Sequence, residues 1–161
     1  SLRQRWHMAV VLGPRDGPIV IRPASAQDLP DLVRMAGAFI EASNVGLPFD
    51  GHYLRSSFAA QIAAPDRLVL VLDAGGAHGV LCAVVSRSVW APVPIASELL
   101  FWIDPDHRGK WALPMLRTYV EWARGIGCTR AGMVALADNP MAALYRRAGF
   151  SPSEITYSQV F

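Results

Sequence analysis

Cysteine is scarce in this chain, at two residues, and charge is thin, with 17% of residues Asp, Glu, Lys or Arg. Cys82 and Cys128 sit in apolar surroundings without CxxC or CxxH spacing. They read as buried structural thiols of a reducing compartment, and a cytoplasmic location is the expectation. The four histidines, His7, His52, His78 and His107, are scattered and lack ligand spacing, so no metal is expected. No apolar run reaches the ~20 residues that cross a bilayer, which argues against a membrane role. A net charge of +2, dispersed along the chain, argues against nucleic acid. The absence of G-x-x-x-x-G-K-[ST] argues against a phosphate-loop NTPase. No dense acidic cluster calls for a polycationic substrate.

What is present is a core. At 161 residues and 52% apolar content, the chain is expected to form one domain. That length buries about two-thirds of the surface exposed by the unfolded chain. Residues 1–18 read as an N-terminal extension. Arg3 and Arg5 precede no long apolar stretch, so a secretory signal is not expected, and the residues before Met8 fit a cloning remnant. The domain itself is expected over 19–161.

Residues 19–22 form a short β-rich run. Ser25 then stands as N-cap to a helix carrying Leu29, Leu32, Val33, Ala36 and Ile40 at helical spacing. Gly46-Leu47-Pro48 breaks it. A second amphipathic segment puts Leu54, Phe58, Gln61 and Ile62 on one face. Residues 67–73 (RLVLVLD) and 80–89 flank Gly75-Gly76 and predict a hairpin, followed by a third β-rich run over 96–104. A helix with Met115, Leu116, Tyr119 and Ala123 on one face comes next. Residues 131–137 predict a strand, Asn139-Pro140 a capped final helix, and the alternation of 154–161 a last strand. The order β-α-α-β-β-β-α-β-α-β predicts an α/β fold (an α+β sandwich), with helices flanking a mixed central sheet.

Chemistry concentrates where the third run passes through Asp104-Pro105 and a polar turn into the helix near Ala112. Such a strand-turn-helix junction aims free backbone N–H groups and the positive helix end outward, which suits a phosphate. Arg108, Gly109 and Lys110 lie in that turn. Parting of the 98–104 and 131–137 strands would open a cleft at their ends. There the backbone of Phe101 and Ile103 could pair with an extended ligand, and one N–H could stabilise an oxyanion. Glu98, on the same strand, is a candidate general base, with a solvent-facing glutamate as the plain alternative.

The strand end Ile103-Asp104-Pro105, which matches V-x-P, followed by His107-Arg108-Gly109-Lys110-Trp111-Ala112, resembles the acyl-CoA motif [QR]-x-x-G-x-[GA] of the GNAT superfamily of N-acyltransferases. Residues 139–150 (NPMAALYRRAGF) resemble its second hallmark, N-x-x-A-x-x-x-Y-x-x-x-G-F, more closely. The loop departs from the family in being poor in glycine. With Arg108 in register, Trp111 and Leu113 take glycine positions. With Ala112 as the last small residue, His107 takes the Gln/Arg position, Lys110 takes the first glycine, and Met115-Leu116 fall on the usual apolar pair. A one-residue shortening is a third arrangement.

The resemblance covers nearly the whole chain and implies a GNAT-like mixed sheet whose splayed strands form a CoA cleft. It implies acetyl transfer from acetyl-CoA, as co-substrate, to a primary amine of a small molecule or peptide, with a homodimer allowed. It makes Tyr145 the general acid for the CoA thiolate, and assigns cofactor contacts to residues 107–112, Asn139 and Tyr145. It places the acceptor pocket between residues 44–53 and 88–94, where Phe49, Tyr53 and Trp90 offer an aromatic lining and His52 a polar handle. Lys110 and Trp111 also leave room for a catalytically impaired acyl-CoA-binding or protein-interaction module.

Overall fold

The computed structural model describes residues 10–12, 18–137 and 141–161. Its elements are β1 (Val10–Leu12), β2 (Pro18–Pro23), α1 (Leu29–Ser43), α2 (Gly51–Ala63), β3 (Arg67–Asp73), β4 (Ala77–Arg87), β5 (Pro94–Ile103), α3 (Ala112–Gly125), β6 (Arg130–Gly132) and α4 (Ala142–Arg147). The six strands lie in sequence order, antiparallel except for the parallel β5–β6 pair.

The strands divide the interior into two cores because side chains alternate between sheet faces. On β3, Leu68, Leu70 and Leu72 face one core while Val69 and Val71 face the other. Helix α3 supplies Met115, Leu116, Tyr119 and Trp122 to the first. Helices α1 and α2 supply Leu32, Met35 and Phe58 to the second. The apolar stripes anticipated on all three helices are therefore the faces that close the sandwich.

Entry into α1 differs from the expected simple cap. One 3-10 turn over Ala26–Asp28 comes first, and the Asp28 carboxylate accepts from the Ser25 N–H at 2.8 Å. Asp28 is buried and pairs with Arg22 at 2.8 Å. Hydrogen bonds from Arg22 hold its carboxyl below the usual range.

Gly79 leaves room on β4 for Met115 of α3. A Cβ there would lie 2.9 Å from Leu72 Cβ and 3.3 Å from Met115 Sδ. Gly79→Ala is therefore expected to destabilise the fold by about 1–3 kcal/mol, read as a lower denaturant midpoint.

Two sequence expectations are corrected. The strand expected over 131–137 is only three residues long, Arg130–Gly132, because the chain turns away from β5 beyond Gly132. The strand expected over 154–161 does not form. Its alternation lacks a partner edge, and Ile155, Tyr157 and Phe161 are fully or largely exposed. Asn139, the expected cap of α4, lies outside the described residues, as do residues 1–9 and most of the N-terminal extension.

Candidate functional site

The site begins where β5 loses its neighbour. Pairing of β5 with β6 covers Ile95↔Arg130, Ala96↔Ala131 and Ser97↔Gly132, then stops. On the opposite edge the register with β4 slips between Cys82↔Leu100 and Ala83↔Glu98, leaving Leu99 as an extra residue. A bulge bends its strand, so β5 turns at the same level at which β6 departs. Tyr119, fully buried on α3, anchors the last paired residue by donating to the Gly132 carbonyl at 2.9 Å.

Beyond the parting, β5 has a free edge. The Asp104 N–H donates to the His78 carbonyl at 2.8 Å, which fixes the alternation of the antiparallel ladder. By that alternation the backbone groups of Phe101 and Ile103 point away from β4, into the opening. The Ile103 carbonyl is already taken by Arg108 Nε at 2.8 Å.

Glu98 and Tyr145 meet at one peptide segment across this opening. The Val134 N–H donates to Glu98 Oε2 at 3.0 Å, and the Tyr145 hydroxyl donates to the Val134 carbonyl at 2.6 Å. Burial pushes the Glu98 carboxyl up to about 7, against the opposing pull of the Val134 hydrogen bond. Burial and the Glu98 charge also raise the Tyr145 phenol, so it keeps its proton at neutral pH. The site thus pairs a carboxyl poised to accept a proton with a hydroxyl able to give one.

Tyr145 owes its position to the end of its helix. Gly149 takes φ +89°, its N–H donates to the Arg146 carbonyl at 3.0 Å, and the Phe150 N–H donates to the Tyr145 carbonyl at 2.9 Å. This is a Schellman closure, which needs the glycine for its left-handed residue. It folds the Phe150 ring back beside Tyr145, with centroids 6.1 Å apart.

The β5–α3 turn presents donors. His107 and Arg108 spend their N–H groups on the carbonyls of Asp104 and Pro105, forming one 3-10 turn. The His107 ring stacks on His78 at 4.3 Å, and the Arg108 guanidinium lies 4.6 Å above the Trp102 ring. Gly109 then reverses the chain at φ +102°. Among the described residues, the N–H groups of residues 109–113 have no acceptor. They surround the start of a 14-residue helix, where anions are favoured. The Lys110 side chain is exposed, and the Trp111 indole and Ala112 pack on the α3-side core.

The four residues expected to line an acceptor pocket line neither of the two cavities described below. Trp90 is 93% exposed at the β4–β5 turn, and His52 and Tyr53 are exposed on the first turn of α2. The Phe49 ring lies against Gly37 and Gly51, spanning the α1–α2 connection. Instead, a cavity of about 190 Å³ opens between α1, α2 and the bulge. Its apolar wall includes Phe39, Ile40, Leu54, Phe58, Leu99 and Leu100, with Ser57 and Gln61 as its polar members apart from the Cys82 thiol. The one sequence signal for it was Gln61 on an otherwise apolar helix face.

A larger open cleft of about 610 Å³ lies at the C-terminal end of β5, beside Asp31, Arg34, His78 and Asp104. Arg34, Asp104 and His78 are engaged with one another there: Asp104 accepts from Arg34 at 2.9 Å and from Trp102 Nε1 at 3.0 Å, and contacts His78 Nδ1 at 3.1 Å. It holds none of the groups that converge at Val134. Among the described residues, no three His, Cys, Asp or Glu side chains are grouped as metal ligands.

Comparison with known proteins bears on family and fold. The model of the acetyltransferase (GNAT) family matches residues 39–150. No curated protein sequence matches the chain. Among solved structures, an integron cassette protein from the mobile metagenome of Cole Harbour Salt Marsh superposes with TM-score 0.73 at 21% identity, covering 87% of this chain and 89% of its own. Glucosamine-6-phosphate N-acetyltransferase from Arabidopsis thaliana gives 0.73 at 14% identity, with 89% and 98% covered. An aminoglycoside acetyltransferase from an uncultured soil metagenomic sample, in complex with trehalose, gives 0.68 at 17%, with 89% and 95% covered. At these identities the likeness is one of fold.

Proposed function

Because the chain belongs to the GNAT family of acetyltransferases, we propose that it moves the acetyl group of acetyl-CoA onto a primary amine by direct attack. The observation that carries this reading is the convergence of Glu98 and Tyr145 on Val134, at the point where β5 and β6 part. A base and an acid on opposite sides of a cleft are what a thioester aminolysis requires.

The N–H groups of residues 109–113 hold the pyrophosphate, and Lys110 adds charge. His107 and Arg108 shape the turn rather than donate from their backbone, since both N–H groups are already engaged. The free groups of Phe101 and the Ile103 N–H pair with the pantetheine arm as an added strand. One of these N–H groups faces the acetyl carbonyl and stabilises the charge that forms on its oxygen. Glu98 takes a proton from the ammonium, directly or through water, and the amine nitrogen then bonds to the carbonyl carbon. As the C–S bond breaks, Tyr145 gives its proton to the departing sulfur, and the second proton that the nitrogen sheds on becoming an amide restores the Tyr145 hydroxyl, directly or through solvent. Asn139 contributes to the same hallmark from outside the described residues.

Calorimetry with CoA and dephospho-CoA tests the binding half of this proposal. Both should bind, because the pyrophosphate is common to them, with micromolar to submillimolar Kd. Failure of both at millimolar concentration would remove the anion site and the acetyltransferase reading together.

A further inference from the structure

We infer that the cavity between α1, α2 and the Leu99 bulge admits an amine carried on an uncharged, apolar body, and that Gln61 determines how it is held. This rests on the acetyltransferase reading above, and names the acceptor class for it.

The cavity lies across β5 from the Glu98 carboxyl, which shares the α3-side face with its strand partner Ala83, so the amine must reach the carboxyl past the parting of β5 and β6. Leu99 and Leu100 follow Glu98 directly along β5, and Cys82, beside the strand partner of Glu98, lies in the wall. The Glu98 charge and burial together keep the Cys82 thiol neutral. No Asp, Glu, Lys, Arg or His lines the cavity. A second ammonium would therefore lose its water against Phe39, Phe58 and Leu54 with no carboxylate in return, and a phosphate would find no cation. Size points the same way. At about 190 Å³ the space holds one aromatic ring or a branched aliphatic group, given that an apolar cavity of ~150 Å³ takes benzene.

Gln61 supplies direction. Its Nε2 donates to Ser57 Oγ at 3.3 Å, while its Oε1 is buried and accepts from no donor among the described residues. Buried acceptors in folded proteins are nearly always satisfied, so this one is open to an N–H or O–H of the incoming amine. The acceptor class is then a monoamine with an apolar body. The polyamine, aminoglycoside and amino-sugar phosphate classes are unfavourable here.

The test measures thiol release from acetyl-CoA with 2-phenylethylamine, 3-methylbutylamine, spermidine, an aminoglycoside and glucosamine 6-phosphate. The two apolar amines should exceed the others in kcat/KM by about tenfold or more. Gln61→Leu should raise KM for 2-phenylethylamine by about tenfold, with the KM of acetyl-CoA unchanged. Gln61→Glu, which places a carboxylate in the wall, should shift preference toward spermidine. Preference of the wild type for a polycation or a sugar phosphate overturns the inference, as does an unchanged amine KM in Gln61→Leu. If Gln61→Leu does not fold, the wild-type panel and Gln61→Glu decide. Calorimetry with acetyl-CoA, run in parallel, separates the two levels. Acetyl-CoA that binds while the apolar amines stay inert overturns the pocket assignment alone. Acetyl-CoA that does not bind overturns the acetyltransferase reading, and this inference with it.

Discussion

Tyr145→Phe is expected to lower kcat by about 10–10³-fold while changing the Kd of acetyl-CoA little. The substitution removes one hydroxyl and keeps the ring, so the contact with Phe150 and the Schellman closure of α4 survive. The loss is then chemical, because the thiolate must leave without a proton. A thiol of pKa near ~8.5 is a fair leaving group unaided, which puts the effect toward the lower end of the range. The lost hydrogen bond to the Val134 carbonyl should cost about 1 kcal/mol of stability, measurable separately by denaturation. Wild-type turnover in the variant would make Tyr145 a structural residue and require another acid.

Glu98→Gln is expected to abolish the pH dependence that its carboxyl imposes. With that carboxyl raised to about 7, wild-type kcat/KM should rise through pH 7 as the base ionises. The variant should lack this limb and fall short by about 10²-fold near pH 8. Its deficit should shrink in acid, where Glu98 is itself protonated, and in alkali, where the amine sheds its proton unaided. An unperturbed carboxyl would instead place the limb near pH 4–5. Stability should move the other way. A carboxyl raised in the folded state stabilises fully below its unfolded value and loses that contribution as pH rises through about 7. Glu98→Gln should therefore be more stable than wild type at pH 8, by about 1–3 kcal/mol after solvent screening, and nearly equal at pH 4. An unchanged pH–rate profile would take Glu98 out of the mechanism.

Much of this was legible in the sequence because it is local. RLVLVLD reads as a central strand since its leucines and valines serve opposite cores, and the pattern carries that alternation directly. Tyr145, Gly149 and Phe150 are legible as a unit through the resemblance to the family's second hallmark, and their spacing turns out to be the geometry of one helix end. The strand run over 154–161 was misread because alternation describes a face and says nothing about a partner edge. The bulge at Leu99 was invisible because it is a property of two strands in register, not of either alone. The cavity between α1, α2 and the bulge was invisible for the same reason. Phe49, His52, Tyr53 and Trp90 stand out as residue types, whereas the cavity draws mainly on ordinary leucines and phenylalanines brought together by four elements, α1, α2, β4 and β5, with Ser57 and Gln61 as its polar members apart from the Cys82 thiol.

The most direct test of the central claim is amine-dependent release of CoA thiol from acetyl-CoA, by wild type and by the Glu98→Gln/Tyr145→Phe double variant. Both residues engage the Val134 peptide, so their effects should couple rather than simply add. Wild type should release thiol only when an amine is present, in step with formation of the acetylated amine by mass spectrometry. The double variant should bind acetyl-CoA and release almost none. Tight binding of acetyl-CoA by wild type with no amine-dependent release across the panel would contradict the account, and would make the cleft a binding site without transfer.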